Sequence, residues 1–159
     1  MTAGPSPGPG GFLGLSGALT GFSADFLEAS PVARSLADAF HHRTPAGIAE
    51  RMLAAWEEIV RQHPGGPVAA VEEAVRARIW SDAALGPYAR SLVKLWYLGA
   101  WHEPGGPSPA PLPPPLSAAA YAEGLIWPAI GAGAQGARAP GLGDWSTPPP
   151  REPFGDEPP

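Results

Sequence analysis

Several side chains in this sequence could do chemistry, and their spacing decides what each can do. His41 and His42 offer two imidazoles side by side. Neighbouring helical residues point about 100° apart, so the pair cannot close on one metal ion without distortion. It reads instead as the solvated last turn of a helix, where a protonated ring suits the dipole. Glu57–Glu58 and Glu72–Glu73 are paired carboxylates of the kind used for acid–base work, yet each pair fits the polar face of an amphipathic helix, and that reading is preferred. Ser16 in "GLSGALTG" has the spacing of a nucleophile elbow, which needs a strand before the serine, and none is read there. "GAGAQG" at 131–136 has the glycine spacing of a phosphate-cradling loop, again with no strand before it. His63 and His102 each precede a proline-rich break and have no identifiable partner in the sequence. No catalytic, cofactor-binding or metal-ligating residue is therefore assigned, and the chain by itself is read as not an enzyme. A hydrolase using His41, His42 or a carboxylate stands as a remote rival.

The composition narrows the classes further. The 159 residues suit one domain, large enough to bury a core without covalent staples. There is no cysteine, so disulfides, thiolate zinc, iron–sulfur ligation and covalently attached haem have no ligands in this chain. A net charge of -5 and a single lysine, Lys94, argue against a nucleic-acid partner, which needs clustered cations. No apolar run approaches the roughly 20 residues of a membrane-spanning helix. The start, "MTAGPSPGPGGFLGLSG", lacks the basic region of an export signal.

The elements that must position these residues are helices. The 21 glycines and 23 prolines crowd into a few stretches and leave segments rich in Ala, Leu, Val and Trp between them. In "FLGLSGALTGF", Phe12, Leu15, Ser16 and Leu19 share a face, and Gly21 ends the helix. Ser30–Pro31 opens "PVARSLADAFHH", aligning Val32, Leu36 and Phe40. Thr44–Pro45 opens an amphipathic segment to about His63, with Ile48, Met52, Ala55, Trp56 and Ile59 inside. A fourth helix, about Pro67 to Trp80, puts Val68, Val71, Val75 and Ile79 on one stripe. Ser117 caps a last helix, "AAAYAEGLIWPAIG", which Pro128 should kink or shorten. The expected fold class is all-α: a small irregular domain of about five or six helices with Pro/Gly-rich loops and an extended C-terminal tail. Residues 1–10 are expected to be disordered, 11–131 to form the helical domain with a Pro-rich loop at 103–115, and 132–159 to form an extended tail with a disordered end.

One helix breaks the pattern. "LVKLWYLGAWH", within a helix expected from Gly86–Pro87 to near Trp101, is apolar almost all round. Tyr88, Leu92, Leu95 and Gly99 project to one narrow face with Trp96 at its edge, while Val93, Tyr97 and Trp101 fall on the far side. Such a helix needs burial in two directions. Five of the six tryptophans lie from Trp80 onward, which suits either a core or an obligate interface. The stretch "EPGGPSPAPLPPPL" can be neither helix nor central strand and reads as polyproline II, either a stiff connector or a PxxP ligand.

"FLGLSGALTGF" (12–22), "LVKLWYLGAWH" (92–102), "SAAAYAEGLIWPAI" (117–130) and "PGLGDWSTPP" (140–149), in this order, resemble the small subunit of bacterial membrane-bound FAD-dependent sugar and sugar-alcohol dehydrogenases, of the sorbitol, fructose and gluconate dehydrogenase kind. The resemblance implies a non-catalytic accessory subunit. Its partner would be a large flavoprotein of the glucose–methanol–choline oxidoreductase type, with a multihaem cytochrome c in the same complex. FAD, haem c and any iron–sulfur cluster would belong to the partners and none to this chain. The small subunit would support maturation and stability of the flavoprotein on the periplasmic side of the inner membrane. The sequence as given shows no export signal, so either its start is set too late, or the partner carries the signal, or the complex stays in the cytoplasm. The far-side aromatics Tyr97 and Trp101, with Trp127 and Trp145, are then the expected partner-binding residues. The rival from another class is an independent helical adaptor that recruits partners through its Pro-rich segments.

Overall fold

The computed structural model describes residues 9–106 and 111–134. All regular structure in them is helical. The helices are α1 (Pro9–Thr20), α2 (Ala24–Glu28), α3 (Ala33–Arg43), α4 (Ala46–Gln62), α5 (Val68–Val75), α6 (Gly86–Leu98), α7 (Ala118–Ala122) and α8 (Ile126–Ala129), and α5 runs on into a π-helical turn, Arg76–Trp80. The all-α class is as expected. Helix α1 begins at Pro9, inside the stretch expected to be disordered; residues 1–8, 107–110 and 135–159 lie outside the described residues.

Helix α1 is the hub, packing against α2, α3, α4, α5 and α6. Of its expected face, Phe12, Leu15 and Ser16 are buried and Leu19 is half-buried, while Leu13, off that face, is buried as well. Phe12 stacks on Trp96 of α6 at 6.1 Å between ring centroids and touches Phe40 of α3 at 5.5 Å, joining three helices through one ring. Leu36, Met52, Ile59, Ile79, Leu92 and Leu95 complete a continuous core.

The helix starts depart from the expected capping. Ser30 Oγ accepts the Val32 amide at 3.4 Å, and Pro31–Val32 form a turn, so α3 begins at Ala33. At α4 the N-cap position is Pro45 rather than Thr44, with the Pro45 carbonyl accepting the Ile48 and Ala49 amides. Thr44 is buried, and its hydroxyl has no hydrogen-bond partner among the described residues. Val68 is 72 % exposed, off the stripe expected for it, while Val75 and Ile79 are buried. Helix α2 was not expected at all. Its five residues are too few to display a period, although Ser23 caps it, accepting the Phe26 amide at 3.2 Å, and Leu27 is fully buried.

Helix α6 answers the question of two-sided burial. One side meets α1, α3 and the π-helical turn. At its C-terminal end the chain turns back through Gly99, at φ 65°, and the segment after the Pro-rich stretch lies against α6 itself. The Leu116 amide donates to the Gly99 carbonyl at 2.8 Å, and the Leu125 amide to the Trp96 carbonyl at 3.0 Å. Contact is backbone to backbone: a Cβ on Gly124 would stand 2.7 Å from the Tyr97 carbonyl oxygen. That approach also explains why the expected last helix is two. Ser117 caps α7 as expected, accepting the Ala120 amide. The break falls at Gly124, where the chain must pass α6, and Pro128 is accommodated within α8.

Candidate partner-binding surface

The four aromatic residues expected to meet a partner do not form one surface. Trp101 is a correction. It lies beyond the end of α6, which stops at Leu98, and is only 5 % exposed as a member of the chain's own core. The 100° projection failed because the left-handed turn at Gly99 redirects the two residues after it. Nearby, the Ser91 hydroxyl donates to the His102 carbonyl at 2.6 Å and ties the outgoing chain to α6.

Tyr97 is half-buried. Its hydroxyl donates to the Thr20 carbonyl at 3.0 Å, and its ring meets Phe22 edge-on at 6.2 Å, so it fastens the C-terminal end of α1 to α6. Trp145 lies outside the described residues.

Trp127 stands in a cleft. Its indole Nε1 donates to the Tyr121 carbonyl at 2.8 Å, and the two rings meet edge-on at 5.3 Å, which fixes the indole while leaving it half-buried. The cleft, of about 340 Å³, runs between the α2–α3 turn and the C-terminal segment. Phe26 and Pro31 line one side, Trp127 and Pro128 the other, with Leu125 and Ala134 also in its lining. Glu123 is the charged residue among those lining it. Phe26 is 49 % exposed and Ile130, between the lining residues Pro128 and Ala132 in sequence, is 61 % exposed. Neither was singled out from the sequence. Phe26 sits in a helix too short to announce itself, and Ile130 follows the proline expected to disrupt the last helix.

The side chains first considered for chemistry are dispersed. His41 and His42 are exposed at the end of α3, the His41 ring resting against Phe40 at 5.4 Å. Among the described residues no cluster of three or more His, Asp or Glu could hold a metal ion. Glu58 contacts Arg61 and Gln62 on its own helix. Glu57, Glu72 and Glu73 are exposed. Ser16 is fully buried. His63 closes α4, its Nδ1 lying 2.9 Å from the Ile59 carbonyl. Burial and the charge of Lys94 hold the pKa of His102 below its ordinary 6.5. What the cleft offers is apolar area with a fixed aromatic wall, suited to holding another apolar side chain. No described helix is long and apolar enough to cross a membrane.

No protein family, no curated protein and no solved structure matches this chain.

Proposed function

We propose that the protein is a non-catalytic accessory subunit that binds and stabilises the FAD-dependent large subunit of a sugar or sugar-alcohol dehydrogenase. The motif set at 12–22, 92–102, 117–130 and 140–149 suggests the complex, and FAD would be held by the large subunit. The observation that carries the reading is the apolar cleft between the α2–α3 turn and the C-terminal segment, lined by exposed Phe26 and the immobilised ring of Trp127, with Ile130 exposed further along the same C-terminal segment. Each large apolar side chain that a partner covers contributes roughly 1.5–3 kcal/mol by area. The surface that supports this reading is the cleft, with Trp127 as its one member from the expected four.

The test is co-expression with an FAD-dependent sugar dehydrogenase large subunit. The expected result is co-elution on size exclusion and higher FAD occupancy of the large subunit when this chain is present. Phe26→Ser and Ile130→Ser, at exposed positions, should together weaken the complex at least about tenfold while leaving helicity unchanged. A flavoprotein fully loaded and active without this chain, with no co-elution, would overturn the reading.

A further inference from the structure

The segment Pro111–Leu116, sequence PLPPPL, contributes no residue to the lining of the cleft. It lies outside every helix, and the one backbone hydrogen bond recorded from its amides is from Leu116 to the Gly99 carbonyl. Proline at four of its six positions fixes φ, and the residue before each proline is pushed out of the helical region. Leu112, Pro113 and Pro114 are all such residues, so the run is held in the polyproline II range.

That helix has three residues per turn and therefore three edges. Their exposure divides accordingly. Pro113 is half-buried, and Leu116, three residues on, is hydrogen-bonded to the end of α6 and is 39 % exposed. The other two edges, Pro111 with Pro114 and Leu112 with Pro115, are exposed, Leu112 at 82 %. The body of the protein meets the rod through half-buried Pro113 and the Leu116 backbone, and leaves the other two edges free. Grooves that recognise polyproline II use two such edges, packing proline rings between flat aromatic side chains. Recognition of charge has nothing to act on here, because no Asp, Glu, Lys or Arg occurs between Glu103 and Glu123.

We propose that Pro111–Leu116 is a displayed polyproline II ligand for a protein partner with a groove of parallel aromatic rings, recognised through Leu112, Pro114 and Pro115 without an ion pair. This surface is independent of the accessory-subunit reading. The pre-set backbone lowers the entropy lost on docking, so a short uncharged segment suffices for a weak, specific contact.

The experiment titrates the full chain against two probes and follows binding by NMR. One is a WW domain, with an aromatic groove; the other is an SH3 domain, with an acidic pocket beside its groove. The expected result is WW binding with a Kd below about 1 mM that is insensitive to salt. Pro114→Ala and Leu112→Ser, both at exposed positions, should each weaken it by about tenfold with an unchanged circular dichroism spectrum. Absence of WW binding at millimolar concentration would overturn the proposal. So would binding unaffected by both substitutions, or binding by the SH3 domain alone that falls with salt, since recognition would then run through other residues.

Discussion

Gly99 passes Ala120 so closely that a Cβ on Gly99 would stand 2.3 Å from the Ala120 carbonyl oxygen. The same glycine holds a left-handed φ of 65° to end α6. Two independent constraints thus fall on one residue, at the joint where the C-terminal segment closes over the helix. Gly99→Ala should cost at least about 1–2 kcal/mol from the backbone conformation alone, with the clash adding to it. Urea unfolding followed by circular dichroism measures this. A variant as stable as the parent would mean that α7 does not lie against α6.

Trp101→Ser separates a core residue from a partner-facing one. A buried indole exchanged for a small side chain should destabilise the isolated chain by about 3–5 kcal/mol. A thermal melt of the chain without any partner is sufficient. An unchanged melting temperature would return Trp101 to the surface.

Tyr97→Phe removes one hydroxyl and leaves the ring. Loss of the bond to the Thr20 carbonyl should cost about 1 kcal/mol and leave the overall helix content intact. Amide exchange near Thr20 should accelerate in the variant more than exchange within α4. Uniform acceleration, or none, would contradict a local fastening of α1 to α6.

Asp82 gives a dependence on pH. Its carboxylate accepts the Leu85 and Ala84 amides ahead of α6, and these bonds, followed by the charge of Arg51, hold its pKa below the ordinary 3.8. A group whose pKa is lowered on folding contributes stability above its unfolded value and loses it as the pH falls through the folded value. Asp82→Ala should therefore melt below the parent at pH 7, and the gap should narrow as the pH drops below 3.8. A gap that is constant down to pH 2 would assign the effect to packing rather than to ionisation.

Periodicity made the long elements legible. Phe12 and Leu15 on α1, Leu36 and Phe40 on α3, Met52 and Ile59 on α4, and Leu92 and Leu95 on α6 are all buried at the positions their spacing predicted. The rest depends on where the backbone turns. Trp101 was assigned by extending a helix two residues past a glycine that ends it, and Phe26 escaped because α2 has only five residues. The apolar far side of α6 was expected to be covered by a partner. At the C-terminal end of α6 the chain's own residues 116–125 lie against the helix instead, held by hydrogen bonds from Leu116 and Leu125 that no local pattern announces.

Those two hydrogen bonds also order events during synthesis. Because the strap over α6 comes from residues 116–125, a nascent chain that has emerged only as far as the prolines carries its aromatic helix uncapped on one flank. That uncovered flank is the surface on which a chaperone or a co-translational binder would have most to hold.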